Sequence, residues 1–375
     1  MVNNITIFVN QLFVGGAARV ASYLANAWTG MGRRVTILTT DRGVTPPFFP
    51  LDSGTVLRPL DLMAHSTSPW QAMSHNLDRL ARLRRAIADS RPDVLVSFLD
   101  RNNVLCLLAC RTLPRIPTII SERTDPSERP IGFGWEHLRR LTYPWADCLV
   151  VQSAHAKAFF SRRVQARTQV IPNSVPPMPV PEVGEPQRGR FRVVTLGRLD
   201  TVKGHDLLID AFSQVAGAHP DWDLSIYGDG PEQPALEARI QALGLGSRIS
   251  LLGTTDHVAG RLRECDLFVL SSRAEGFPNA LAEAMACGLP VVSFDCHSGP
   301  ADLIRDGVDG VLVPPKDVPA LARAMAALMD SPAERARLAS RAPEVVERFS
   351  EARILERWEE VIGAVSRSIK GRDRP

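Results

Sequence analysis

A chain of 375 residues is long for one domain and comfortable for two. Its 45% hydrophobic and 23% charged residues make an ordinary globular composition that can fill two sizeable cores, and the absence of any run of about 18 apolar residues excludes a membrane-spanning helix. The net charge of +3 divides unevenly: residues 1–175 hold 21 Lys+Arg against 12 Asp+Glu, a balance of +9, and residues 176–375 hold 23 against 29, a balance of −6. A basic first half is expected to meet an anionic partner, with compositional drift in an Arg-rich protein as the alternative.

The chain opens directly on a strand over 5–10, without the basic-then-apolar layout of a signal peptide. A loop over 11–16, a helix over 17–31 and a strand over 33–40 then make a βαβ unit with a glycine pair, Gly15–Gly16, at its first turn. Gly16 would let backbone approach a ligand, or serve only as a turn glycine; G-x-G-x-x-G is missing, so a nicotinamide fingerprint is not supported. Residues 77–90 are expected to be helical, with Leu77, Leu80, Leu83 and Ile87 on one face and Arg79, Arg82 and Arg85 on the other. That helix suits either an anionic membrane surface or, as the blander reading, a crossover packed on a sheet with a solvated Arg face.

Strands follow at 93–99 and 117–121. The second ends in Glu122-Arg123-Thr124-Asp125-Pro126, polar residues that leave a strand end and should face a cleft. Residues 133–145 mix Phe, Trp, Leu and Tyr with His137, Arg139 and Arg140, which suits a lipid headgroup boundary or a polyprenyl-phosphate acceptor; a helix packed beneath the cleft is the alternative. Strands at 147–152 and 168–175 close the first half. Residues 171–190 hold six prolines and no apolar period, a stiff extended linker that places the domain boundary.

The second half restarts with a strand over 191–196 and the loop GRLDTVKGH (197–205), ahead of a helix over 206–218. Arg198 and Lys203 are two cations at a helix N-terminus, an arrangement that suits a diphosphate. Strands are expected at 222–227, 248–253, 290–294 and 310–314, helices at 298–304, 332–348 and 351–368. Alternating strands and helices imply parallel sheets with right-handed crossovers. The six cysteines, without C-x-x-C, read as free thiols of a reducing compartment, with the cytoplasm the simplest location.

The most informative stretch is SSRAEGFPNALAEAMACGLP (271–290). A buried strand over 265–272 leads into a Gly-Pro loop and a helix over 280–287, stopped by Gly288 and Pro290. Glu275 stands in the loop and Glu283 on the helix. Backbone N–H groups at Phe277, Pro278's successor Asn279 and Ala280 open the helix and would face a sugar-phosphate. An ordinary βα turn with two solvated glutamates is the alternative.

With E-x7-E in the form EGFPNALAEAMACGLPVV, followed by GPADLIRDGVDGVLVPP, the chain resembles retaining GT-B glycosyltransferases of the family-4 type. The resemblance covers the whole length and implies two Rossmann-like α/β domains, doubly wound parallel sheets facing a cleft, with a C-terminal helix crossing back. It implies an acceptor-binding domain at 1–175, a nucleotide-sugar domain at 176–350 and the returning helix at 351–375. Donor contacts fall on Gly16, Gly197, Thr254, Gly276, Phe277, Pro278, Asn279, Ala280 and Glu283, and the catalytic positions on Arg198, Lys203 and Glu275. Glu275 would hold sugar hydroxyls, Glu283 the ribose, and Arg198 with Lys203 the leaving diphosphate, with no metal and no other cofactor expected. The implied donor is a UDP-sugar and the acceptor a glycan or lipid-linked sugar; no nucleic-acid partner is expected. Many relatives carry a cleft histidine after the strand 117–121, where this chain has Ser121-Glu122-Arg123. The SERTDP form resembles a subgroup of bacterial polysaccharide and lipid-linked oligosaccharide transferases, which puts Glu122 and Arg123 beside the acceptor or sugar; the basic first half suggests contact with the inner face of the plasma membrane. A sugar-nucleotide epimerase of the same fold and a non-catalytic sugar-nucleotide-binding factor are the rival readings.

Overall fold

The computed structural model describes residues 2–13, 15–62, 69–128, 130–178 and 189–370. It divides into two compact units, Met1–Asn173 with Ala352–Pro375, and Ser174–Glu351. Of the proline-rich segment, residues 179–188 lie outside the described residues.

In the first unit the strands are β1 (Asn4–Val9), β2 (Arg34–Thr39), β3 (Val56–Pro59), β4 (Val94–Phe98), β5 (Thr118–Ser121), β6 (Cys148–Val151) and β7 (Thr168–Val170). The helices between them are α1 (Gly16–Gly30), α2 (Pro69–Ser90), α3 (Asp100–Cys110), α4 (Phe133–Thr142), α5 (Ala154–Ala158) and α6 (Arg162–Gln165). The sheet runs β3-β2-β1-β4-β5-β6-β7 with every pair parallel, so the strand order reverses between β1 and β4. Helices cover both faces, which is why the strands read as near-continuous apolar runs. Alternation still sorts the side chains: Ile5, Ile7, Val9, Val94, Val96 and Phe98 enter one core, while Phe8 and Leu95 enter another with Leu83 and Ile87 of α2.

The second unit repeats the plan. Its strands are β8 (Phe191–Leu196), β9 (Trp222–Tyr227), β10 (Ile249–Leu251), β11 (Leu267–Leu270), β12 (Val291–Phe294) and β13 (Val311–Val313). Its helices are α7 (His205–Ala216), α8 (Gln233–Ala242), α9 (Val258–Arg263), α10 (Asn279–Ala286), α11 (Pro300–Leu303), α12 (Val318–Asp330), α13 (Pro332–Arg341) and α14 (Glu344–Arg348). The all-parallel order β10-β9-β8-β11-β12-β13 reverses between β8 and β11. Leu267 and Val269 pack with Phe212 of α7 and Met325 of α12; Phe268 and Leu270 pack with Leu281 and Met285 of α10 on the other face.

The last helix, α15 (Glu351–Lys370), returns to the first unit. Trp358 is fully buried there, edge-on to Trp28 at 6.5 Å and tilted against Phe98 at 6.0 Å. Glu359 accepts from Trp28 Nε1 at 2.8 Å and pairs with Arg33 at 2.5 Å. The aromatic anchors bury most area, and the charged pair at the rim fixes the helix's rotation about its axis.

Several expectations change. Of the apolar face expected on this helix, Leu83 and Ile87 are buried and Leu80 packs partly against them, but Leu77 is 64% exposed, outside the core that covers the later turns of α2. Helices α3, α5, α6, α8, α9 and α12 and the edge strand β3 were not anticipated. The segment 332–348 is two helices, α13 and α14, with Pro343 between them. The six cysteines are free thiols, four of them buried.

Candidate functional site

Lys203 and Glu275 meet at the switch point of the second sheet. The loop after β8 carries Lys203, the loop after the adjacent β11 carries Glu275, and both leave the carboxyl ends of their strands, where open α/β sheets take ligands. Lys203 Nζ donates to Glu275 Oε1 at 2.6 Å, and the Ser272 hydroxyl donates to the same oxygen at 2.6 Å. Glu275 is 8% exposed, so its carboxylate is nearly withdrawn from water and its two donors replace that hydration. The charge of Glu275 adds to burial in pushing the Cys296 thiol up to about 12.

The Lys203 loop is held from several sides. Asp200 caps a single 3-10 turn, Thr201–Lys203, by accepting from Lys203 N at 3.2 Å. Gly204 follows at φ 63, in the left-handed region; a Cβ there would lie 2.1 Å from Ser271 O, so only glycine lets the two loops touch. Gly228, after β9, answers from the other side, since its Cβ would lie 1.9 Å from Gly197 O. Arg273 completes the clamp, donating to Asp206 at 2.8 and 2.6 Å and to Thr201 O at 2.7 Å. Sequence reading missed this clamp because its partners stand 67 residues apart and no short motif joins them.

Arg198 behaves differently from Lys203. Its side chain is 65% exposed and 3.9 Å from Asp200 Oδ2, leaving the guanidinium presented to solvent at the sheet edge. Behind this loop His205 is buried, and burial followed by the Lys203 charge lowers its pKa.

Helix α10 brings the remaining residues. The N–H of Asn279 turns back to Phe277 O at 2.9 Å, while Ala280 and Leu281 stand in the first turn, where helix N–H groups have no intrahelical partner. The Phe277 side chain faces away from any ligand, in the core, edge-on to Phe349 at 6.0 Å. Phe277 can therefore serve a ligand only through its backbone. Pro278 is buried, and Gly276 is half-buried in the loop. Glu283 is 8% exposed on the same helix, two turns beyond Glu275 along the chain. Gly197 donates to Tyr227 O at 3.0 Å, tying its loop to β9, and Thr254 is exposed just beyond β10. Among the described residues, no three His, Cys, Asp or Glu side chains converge as metal ligands.

In the first unit, Gly16 is the first residue of α1, but the backbone demand falls on its neighbour Gly15, at φ 152. The expectation that Glu122 and Arg123 face an open cleft needs correcting. Glu122 is 1% and Arg123 8% exposed. The Tyr143 hydroxyl donates to Glu122 Oε1, and Arg139 stands 3.8 Å from it. Burial raises the Glu122 carboxyl to about 7 against the opposing Tyr143 hydrogen bond. Arg123 donates to Asn173 Oδ1 and to Ser121 Oγ at 3.4 Å, and burial lowers it to about 9. These strand-end polar residues turn inward because neighbouring loops supply buried partners for them. Helix α4 packs Trp135 and Leu138 against the core and leaves Phe133 94% and Leu141 54% exposed.

Residues 181–345 match the family of glycosyl transferases group 1, and residues 15–174 match the glycosyl transferase 4-like domain. An exopolysaccharide phosphotransferase of Streptomyces coelicolor is 34% identical over 298 residues, which is 78% of this chain but only 30% of that protein's length. The GalNAc-α-(1→4)-GalNAc-α-(1→3)-diNAcBac-PP-undecaprenol α-1,4-N-acetyl-D-galactosaminyltransferase of Campylobacter jejuni is 27% identical over 96% of this chain and 98% of its own. Among solved structures, Anabaena HepE in complex with UDP and glucose superposes with a TM-score of 0.79 at 20% identity, covering 97% of this chain and 100% of that one. The fold is that of the GT-B glycosyltransferases. In chain order, a glycosyl transferase 4-like domain is followed by a glycosyl transferases group 1 domain.

Proposed function

We propose that the protein transfers a hexosyl or N-acetylhexosaminyl unit from a UDP-sugar to a glycan or polyprenyl-diphosphate-linked acceptor in polysaccharide or glycoconjugate synthesis. The anomeric configuration is retained. The observation that carries this reading is the Lys203–Glu275 pair at the switch point of the second sheet. Departure of a nucleoside diphosphate leaves negative charge on the phosphates and oxocarbenium-like charge on the sugar. Lys203 and the exposed Arg198 stand where they can meet the first, without a metal, and Glu275 where it can hold sugar hydroxyls. Fixed charges in a partly dry site need no reorganisation when the bond breaks. Glu283 takes the ribose hydroxyls, and the helix start at Ala280 faces the phosphates. The names of relatives support the substrates: the Campylobacter enzyme is named for an undecaprenol-diphosphate-linked glycan, and the HepE complex holds UDP and glucose.

The acceptor end is assigned to the first unit. Its basic charge and the exposed Phe133 and Leu141 of α4 support contact with an anionic membrane at the cytoplasmic face. Donor hydrolysis and transfer across a panel of UDP- and GDP-sugars, with polyprenyl-diphosphate sugars as acceptors, tests the whole reading. Turnover of one donor by the wild type, lost in Glu275→Ala, is the expected result. Isomerised donor with no acceptor requirement would make the protein an epimerase instead.

A further inference from the structure

Strand β11 runs straight into Ser271 and Ser272, both 1% exposed. Along β11 the side chains alternate, Leu267 and Val269 toward the core that holds α7, Phe268 and Leu270 toward the core that holds α10. The two serines continue that alternation. The Ser271 hydroxyl reaches the loop ahead of α7 and donates to Lys203 O at 3.3 Å. Its carbonyl is also the oxygen that a Cβ on Gly204 would strike at 2.1 Å. The Ser272 hydroxyl reaches the loop ahead of α10 and donates to Glu275 Oε1 at 2.6 Å. Adjacent residues of one strand end therefore fasten both members of the Lys203–Glu275 pair, one by its main chain and the other by its carboxylate.

Each bond does something the ion pair cannot do for itself. The Lys203 side chain is a flexible four-carbon stem, 28% exposed, whose ammonium is drawn to any phosphate on which charge grows nearby. As that attraction builds, its hold on Glu275 weakens, whereas a serine hydroxyl buried at a strand end has a single side-chain torsion to keep in place. Both donors take Oε1, and among the described residues no protein donor takes Oε2. The carboxylate is thereby turned so that one oxygen is held by the protein and the other is left for the hydroxyls of a ligand. On the Lys203 side, a bond to the main-chain carbonyl fixes where the stem starts, and with it how far the ammonium reaches.

We propose that Ser271 and Ser272 are the positioning residues of this site: Ser272 holds Glu275 with Oε2 toward the sugar, and Ser271 sets the Lys203 loop against the diphosphate. The inference rests on the transferase reading for the identity of the two ligand groups.

Ser271→Ala, Ser272→Ala and Ser272→Cys are compared with wild type by calorimetric titration with UDP, by hydrolysis of the UDP-sugar that the wild type turns over, and by crystal structures. Cysteine fills the space of the serine but is a weak donor, so Ser272→Cys separates the hydrogen bond from packing and stands in should Ser272→Ala fail to fold. Loss of a hydrogen bond to a charged group should cut kcat of donor hydrolysis about tenfold or more in both Ser272 variants, while UDP affinity stays within about twofold. Ser271→Ala should instead weaken UDP about three- to tenfold, as loss of a neutral hydrogen bond does. The proposal is overturned if all the variants lower UDP binding and hydrolysis in the same proportion. An active wild type whose folded Ser272 variants hydrolyse the donor equally well loses the positioning roles alone. Wild type that turns over no donor loses the transferase reading, and the crystal structures then decide the rest. A Glu275 carboxylate displaced in Ser272→Ala and a Lys203 loop displaced in Ser271→Ala keep the positioning roles; unmoved, they remove them.

Discussion

The two sheets share one topology and use their switch points in opposite ways. In the second unit the loops after β8 and β11 are drawn together by Lys203, Glu275 and Ser272, and sealed by the Arg273–Asp206 clamp. In the first, the residues after β1 and β4 stand apart around a cavity, and the buried carboxyl of Glu122 is met by a phenol hydroxyl. One edge pairs its lysine with a buried glutamate and leaves Arg198 to solvent; the other carries Asp100 and the amide of Asn102 beside Arg79 and Arg101. The crevice follows from strand order, but its chemistry follows from which partners each buried carboxylate is given. A carboxylate held by an ammonium suits a site where charge develops, and one held by a phenol suits a wall that must stay quiet.

The largest effect should come from removing the ammonium of the Lys203–Glu275 pair that sets the second edge apart. Lys203→Ala is expected to lower kcat on a UDP-sugar donor by about 10²–10³, roughly 3–4 kcal/mol of barrier. Steady-state kinetics showing less than about a threefold loss would break the contrast, since the second edge would then owe nothing to its ammonium.

Backbone demands at the two edges can be exchanged. Gly204→Ala puts a methyl 2.1 Å from Ser271 O at φ 63, and should destabilise the protein by about 2–3 kcal/mol in urea unfolding. Leu99→Gly removes strain of about 1–3 kcal/mol at φ 77 but gives up a half-buried leucine, so its net change should stay within about 1 kcal/mol. Equal costs for the two substitutions would show that neither turn is set by its φ angle.

The buried carboxyls differ in what pH does to folding. Glu122 is raised from its ordinary 4.5 to about 7, so the folded state keeps a proton that the unfolded chain releases. Its contribution is therefore complete below about pH 4.5, declines as pH climbs, and is gone above about 7, a loss of up to roughly 3 kcal/mol. Glu122→Gln should gain stability relative to wild type between pH 5 and 8 and level off beyond. A difference that stays flat across that window would contradict the neutral wall.

The smallest effect on folding is expected at the surface of α4. Phe133→Ser should change unfolding free energy by less than about 0.5 kcal/mol, since the ring is 94% exposed. Co-sedimentation with anionic vesicles at low salt should nonetheless weaken; unchanged sedimentation would remove α4 from the membrane contact.

Much of this architecture is written in local pattern. The strand 191–196 is the observed β8, and helix α10 begins and ends within a residue of the span set by Pro278, Gly288 and Pro290. Short apolar runs punctuated by glycine and proline allow few other folds, because backbone groups must pair and one face after another must be covered. The eight-residue spacing of Glu275 and Glu283 likewise places one carboxylate in a loop and the other on a helix. Pairings across the chain needed the tertiary structure. Lys203 finds Glu275 across 72 residues, and Arg273 finds Asp206 across 67. Glu122 and Arg123 turn inward because Tyr143 and Asn173 arrive from elsewhere to receive them. Leu77 lies exposed, though it shares the helical stripe of the buried Leu83 and Ile87, because tertiary packing decides how far along that stripe the core extends. Sequence by itself determined the elements and the residues able to carry chemistry. Which of those residues meet, and which are buried against a partner, was decided by packing, since a side chain's environment is made by segments remote from it in the chain.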